Sequence, residues 1–199
     1  MAPPNCAIVA RMYDPGLAIE TDRLVLRMPR LEDLDRWCLF LGDEESARHV
    51  GGVQPRPVVW RGLASMAGAW AIGGCAMFSV IEKSSGLWIG RLGPWCPEGW
   101  PGTEVGWGLM KEYWGRGYAT EGAIAAIDWC FDHLGWDEVI HVIAPANHAS
   151  RQVARRLGSR LRGPARLPEP VAHIEVECWG QTRAEWRAQR ARLPLAATP

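Results

Sequence analysis

Residues 103–122 read TEVGWGLMKEYWGRGYATEG, and the order of features within them sets the architecture. Residues 103–109 have a strand pattern that carries Gly106 and Gly108. KEYWGRG, at 111–117, is a glycine loop. From Tyr118 an amphipathic helix runs to Leu134. Ile124, Ile127, Phe131 and Leu134 form its apolar stripe, and Gly135 ends it. A helix start offers free backbone N–H groups and a partial positive charge, and glycines let a ligand come close to them, so this junction suits a phosphate. It is not a Walker loop, because no GK[ST] follows. It is not the dinucleotide fingerprint either, because Thr120 stands where the third glycine would be. Taken alone, the loop reads equally as a plain tight turn into a helix.

The same alternation of elements extends both ways. Residues 17–27 (LAIETDRLVLR) read as a strand. Pro29 opens a helix with Leu31, Leu34, Trp37, Cys38 and Leu41 at helical spacing and acids in its first turn. Residues 44–50 and 58–72 read as further helices. Residues 75–82 and 87–92 read as strands joined by a turn at Lys83-Ser84-Ser85-Gly86. After the central helix come a strand at 138–144, a helix at 149–157 closed by Gly158, a half-exposed strand at 172–179, and a last helix opened by the capping box Thr182-Arg-Ala-Glu185. This order predicts an α+β fold: one mixed, mostly antiparallel sheet of about six to seven strands flanked by helices. A single domain over 17–192 is expected, with tails at 1–16 and 193–199.

Composition limits the function classes. The 199 residues carry 22 Lys+Arg and 22 Asp+Glu, so no global field draws a polyanion, and no nucleic-acid partner is expected. Residues 62–81 are uncharged and long enough to span a membrane, but they are rich in Gly and Ala and broken at Gly73-Gly74. They read as a small-residue helix followed by a buried strand, with no membrane partner implied. The start has no signal-peptide pattern. The six cysteines, of which Cys75 and Cys96 are the closest in sequence, form no CxxC knuckle. Reduced thiols, a cytoplasmic location and no disulfide frame are expected. The five histidines form no metal motif, so no metal is expected.

The 103–122 stretch resembles the core motif of the GCN5-related N-acetyltransferase (GNAT) superfamily, most closely the branch typified by ribosomal-protein N-terminal acetyltransferases. ETDRLVLRMPRLEDLDRW, APANHASRQVARRLGSRL and GQTRAEWRA match the same branch in the expected order. The resemblance implies the GNAT fold, splayed between the strands at 103–109 and 138–144, with acetyl-CoA as co-substrate. It places the pyrophosphate on the amides of Trp114, Gly115, Arg116, Gly117, Tyr118, Ala119 and Thr120, and the pantetheine arm along Trp107, Gly108 and Leu109. Gly106 and Gly108 fit a bulged strand approached by a ligand, and read alternatively as glycines that relieve crowding next to Trp107. In the superfamily pattern [QR]-x-x-G-x-[GA] the leading position is Trp114, a departure. Ser159 is another, where the branch has Phe.

Acetyl transfer to an amine needs a neutral amine, a stabilised oxyanion and a leaving thiolate. The resemblance implies Glu104 as the base, working through water, and backbone amides near 107–109 as oxyanion donors. It implies Asn147 as a CoA contact and Ser150 as the group near the sulfur. Asn147 also reads as a plain helix cap, Glu104 as a salt-bridged glutamate, and Arg151 as either a phosphate contact or a solvated arginine. Trp95, Trp100, Trp107 and Trp114 either wall an acceptor pocket or pack as core. No Gly-x-Ser-x-Gly elbow or Cys–His pairing occurs, so direct attack in a ternary complex is the simpler mechanism. The acceptor is a protein N-terminus or a small amine. A homodimer is compatible with the resemblance, and an inactive acyl-CoA-binding module is the alternative function.

Overall fold

A computed structural model of the chain describes Asp14 and residues 16–193, so the expected tails fall almost wholly outside the described residues. Eight strands form the sheet: β1 (Ala18–Glu20), β2 (Leu24–Arg27), β3 (Phe78–Glu82), β4 (Trp88–Trp95), β5 (Glu104–Leu109), β6 (Glu138–Ile143), β7 (Arg160–Ala165) and β8 (Val176–Thr182). Their order across the sheet is β1-β2-β3-β4-β5-β6-β8-β7. Every neighbouring pair is antiparallel except β5 and β6, which are parallel. The helices are α1 (Leu34–Gly42), α2 (Glu44–Ala47), α3 (Arg56–Gly73), α4 (Tyr118–His133), α5 (His148–Arg156) and α6 (Arg183–Arg190).

Several expected elements need correcting. The strand expected at 17–27 is a hairpin, β1 and β2, because the Thr21 hydroxyl accepts the Leu24 N–H and turns the chain. The strand expected at 172–179 begins later, at Val176, and continues to Thr182. Together with the unforeseen β7, these bring the sheet to eight strands. Leu31, expected on the apolar stripe, is 72% exposed, because a short 3-10 turn at Leu31–Asp33 precedes α1.

The core lies on both faces of the sheet. On one face the Phe40 ring of α1 sits beneath Gly108. On the other, Gly122 of α4 rests on Leu92 and Leu24. Trp129 of α4 meets Trp70 of α3 and Phe78 edge to face, and Trp70 lies tilted against Phe78, with centroids 4.9–5.9 Å apart. α4 is buried beyond its expected stripe, because Ala123, Ala126 and Cys130 are covered as well. An acidic side chain also enters the core: Asp33 takes two bonds from Arg27, one from the Ser79 hydroxyl and one from the Arg30 N–H.

The two parallel strands separate almost at once. β5 and β6 are in register at one pair, Glu104 with Ile140, and the Ile140 N–H reaches the Thr103 carbonyl. The next rung of a parallel ladder would join the Val142 N–H to the Val105 carbonyl. That bond is replaced by two side-chain bonds. The Val142 N–H goes to the Glu104 carboxyl at 3.1 Å, and the Val105 carbonyl takes His141 Nδ1 at 2.6 Å. Beyond this apex the strands diverge, and a wedge opens between β5 and α5.

No bulge accompanies the two strand glycines, contrary to expectation. β4 and β5 pair without a register shift from Gly90–Leu109 to Trp95–Glu104. Both glycines lie close against side chains from other elements. A Cβ on Gly106 would lie 2.6 Å from Met77 Cε, and one on Gly108 would lie 3.1 Å from Phe40 Cζ.

Candidate active site

The loop between β5 and α4 is built from backbone donors. Gly115 (φ 73) and Gly117 (φ 82) adopt left-handed conformations, which turn the chain so that successive N–H groups face one concavity. The first intrahelical bond of α4 runs from the Glu121 N–H to the Gly117 carbonyl. The N–H groups of Tyr118, Ala119 and Thr120 therefore have no acceptor within the helix. They open into a cleft of about 970 Å³ lined by Trp114, Gly115, Gly117, Tyr118, Ala119 and Thr120. From Gly115 onward these residues fit a diphosphate, with open amides at a helix start; the Trp114 N–H, expected among them, is taken instead by the Lys111 carbonyl.

One wall of the cleft is the free edge of β5. The carbonyls of Thr103 and Val105 point toward β6, so by strand alternation the backbone groups of Trp107 and Leu109 do too. The Leu109 carbonyl is taken by the Trp114 indole N–H at 2.7 Å. This explains Trp114 where the superfamily pattern has Gln or Arg: its ring closes the end of the strand. The N–H and carbonyl of Trp107 remain directed into the wedge.

The opposite wall is α5. The Asn147 side chain caps it by accepting the Ser150 N–H at 3.1 Å, and both residues line the cleft. The Ser150 hydroxyl spans the wedge to the Trp107 indole, which donates to it at 3.2 Å. An indole can only donate, so the serine keeps its own O–H to give elsewhere.

Glu104 lies at the apex, only 6% exposed. Its carboxyl accepts the Trp100 indole N–H at 2.6 Å and the Val142 N–H at 3.1 Å. Burial pushes it up to about 7, against the opposing pull of those two donors and of Arg91. Its Oε1 sits beside Gly106, two residues before the cleft-lining Gly108. His141, on the neighbouring strand, is pushed down to about 4 by burial. Neutral at pH 7, it carries one ring proton. The Val105 carbonyl can only accept, so Nδ1 donates and Nε2 takes the Ser159 hydroxyl at 2.9 Å. The Gln181 amide in turn donates to Ser159. Ser159, the other departure from the branch pattern, is thus the group that orients His141.

Arg116 and Arg151 direct their side chains away from the cleft. The Arg116 guanidinium lies over the Tyr113 ring and outside the cleft lining. Arg151 bonds the Pro145 carbonyl, pairs with Glu177 and faces Trp179. The cations that do line the cleft, Arg23, Arg48 and Arg156, carried no sequence signal. Arg23 comes from the β1–β2 turn, pairs with Glu121 of α4 and bonds the Arg116 carbonyl. It clamps the first hairpin to the glycine loop. His49, beyond α2, lies on the same rim.

A family model described as "Acetyltransferase (GNAT) domain" matches residues 23–160, which include the β5–α4 loop, the wedge and α5. The chain belongs to the GNAT acetyltransferase family. "Uncharacterized N-acetyltransferase p20" of Bacillus licheniformis is 29% identical over 147 residues, which is 72% of this chain and 82% of that protein. "FsC-acetyl coenzyme A-N(2)-transacetylase" of Aspergillus fumigatus is 41% identical over 56 residues, 28% of this chain and 24% of that one. Among solved structures, an acetyltransferase from Agrobacterium tumefaciens superposes with a TM-score of 0.74 at 28% identity, covering 84% of this chain and 95% of that one. The ribosomal-protein-S5-alanine acetyltransferase of Vibrio fischeri shares the fold, with a TM-score of 0.66 at 18% identity over 85% and 98% of the two chains. The splayed, mostly antiparallel sheet is therefore a GNAT fold, and the general activity of the family is acetyl transfer.

Within this GNAT site, His141→Leu would leave the Val105 carbonyl unmet at the apex. The expected loss is roughly 1–3 kcal/mol, or several degrees in thermal midpoint. His141→Gln retains an N–H donor and should recover part of that loss. Equal midpoints for the two variants would mean that the Val105 contact carries no stability.

Proposed function

We propose that the protein is an acetyl-CoA-dependent N-acetyltransferase. It moves an acetyl group from the thioester to a primary amine by direct attack, with both substrates bound together. The observation that carries this reading is the buried Glu104 carboxyl at the apex of the wedge, raised to about 7 and placed on β5 before the cleft-lining stretch that begins at Trp107. An alkyl ammonium, with a pKa of about 10, must lose a proton before it attacks. A carboxyl poised near neutrality accepts that proton through a water more effectively than an ordinary one. Trp100 and Val142 hold it in position without neutralising it.

The remaining roles follow from position. The amides of 115–120 take the diphosphate of CoA, and Asn147 holds the start of α5 against the cofactor. The outward groups of Trp107, with Gly108 and Leu109, guide the pantetheine, and the Trp107 N–H is the donor we assign to the developing oxyanion. Ser150 directs its O–H toward the departing thiolate. The acceptor is an amine of a protein N-terminus or of a small molecule. The ribosomal-protein branch is the one favoured by the sequence motifs, and a cytoplasmic location goes with that reading.

The test is release of free thiol from acetyl-CoA with a panel of amines and peptides. Acceptor-dependent release supports the reading. Thermal stabilisation by CoA with no release from any acceptor would replace it with an acyl-CoA-binding module.

A further inference from the structure

Two thiols meet outside the cleft, at the open end of the β3–β4 hairpin. Cys75 follows Gly74, whose left-handed backbone (φ 70) closes α3. Cys96 follows Trp95, the last residue of β4. The hairpin sets Phe78 opposite Leu92, so the chain just before β3 comes alongside the chain just after β4. There the two sulfurs are 3.5 Å apart. Cys96 is exposed and Cys75 is half-buried, so a reagent can reach the first and the second stands directly behind it.

The two sulfurs are not equivalent. Either sulfur can donate in their contact, but Cys96 faces solvent, where a thiolate is hydrated, while burial favours the protonated thiol at Cys75. Cys96 is thereby the nucleophile and Cys75 the partner that resolves it.

We propose that Cys75 and Cys96 form an oxidisable dithiol whose substrates are small-molecule disulfides such as oxidised glutathione. In the first step the Cys96 thiolate attacks one sulfur of the disulfide RS–SR. A Cys96–SR bond forms, the S–S bond breaks, and RS⁻ leaves and takes up a proton. Cys75 then gives up its proton and attacks the Cys96 sulfur. The Cys75–Cys96 bond forms and the second RS⁻ leaves and is protonated. Two protein thiols lose two electrons and two protons, and one disulfide becomes two RSH. Excess thiol reverses both steps.

The bridge fixes the entrance to the segment at 96–103. That segment carries Trp100, whose ring meets Trp95 at 6.3 Å and whose indole holds the Glu104 carboxyl. The dithiol thus lies one short loop away from the apex of the wedge, on the side of the sheet edge away from the phosphate cradle.

The experiment uses the full chain, folded, with oxidised or reduced glutathione, followed by thiol alkylation, intact mass and peptide mapping. The expected result is a mass lower by about 2 Da, two fewer alkylated thiols, and a peptide joined between residues 75 and 96. The oxidised protein should melt ~5 °C higher, since the bridge closes a loop of roughly 20 residues. Cys75→Ser should trap glutathione on Cys96, while Cys96→Ser should leave Cys75 unmodified. Neither variant should show the rise in melting temperature. Glutathione remaining on wild-type Cys96 without closure, a bridge between other cysteines, or the same rise in both variants would overturn the proposal. If a variant fails to fold, the wild-type peptide map still decides. None of these readouts depends on acetyl transfer.

Discussion

Gly117→Glu is expected to weaken CoA binding by more than about 100-fold, or roughly 3 kcal/mol, measured by calorimetry or by the loss of CoA-induced thermal stabilisation. Gly117 is the N-cap of α4 at φ 82, and it lines the cleft where the N–H groups of the first turn converge. A glutamate there brings a carboxylate into a concavity built to receive anions, and hydrogen bonds to charged groups are each worth about 1.5–3 kcal/mol. It also forces a side chain into a left-handed conformation, so Gly117→Ala is the control. The alanine carries the backbone strain, about 1 kcal/mol of stability, without the charge. It should keep most of the affinity. Wild-type affinity in the glutamate variant would mean that the diphosphate lies elsewhere.

Glu104→Gln is expected to lower kcat by about 100- to 1000-fold and to remove the rising limb that wild type should show near pH 7. The variant also tests the buried carboxyl through stability. Its folded pKa, about 7, lies above its ordinary value of 4.5. The folded state therefore holds the proton more tightly than the unfolded chain. Its contribution is fully present below pH 4.5 and is lost as pH rises through 7, about 3 kcal/mol at most. The glutamine has one oxygen for two donors, Trp100 and Val142, so it loses one hydrogen bond at every pH. The diagnostic is accordingly the slope: between pH 5 and 8, urea titrations should show wild-type stability falling more than that of the variant. Equal slopes would argue against the raised carboxyl. An unchanged kcat would leave Glu104 as a strut between the strands.

Legibility in the sequence followed how local each signal was. α4 was readable because its stripe and its flanking glycines are written in adjacent residues. The capping box at Thr182 was readable for the same reason. β7 was not. Its sequence, RLRGPA, alternates nothing and is mostly exposed, and only pairing with β8 makes it a strand. The glycines of β5 fit a bulge or a crowded site equally in sequence, because the sequence does not reveal Met77 and Phe40, which arrive from distant elements.

The site divides in the same way. Asn147, Ser150 and the loop residues stood out as a motif. Arg151 is next to that motif in sequence, yet one step along a helix turns a side chain by about 100°, and it faces Trp179 instead. Arg156, further along the same helix, reaches the cleft. Arg23 could be found only by knowing that the first hairpin docks on α4. Cys75 and Cys96, separated by a whole hairpin, gave no spacing signal, although the hairpin register brings them together.

A bare strand edge ordinarily invites the edge of another molecule. At the wedge the vulnerable groups are spoken for by Glu104, His141 and Trp114, which leaves open only a short stretch around Trp107. That is too little backbone to template a foreign strand. The slot can therefore stand open to a ligand without offering β5 as a strand for a second copy to pair with.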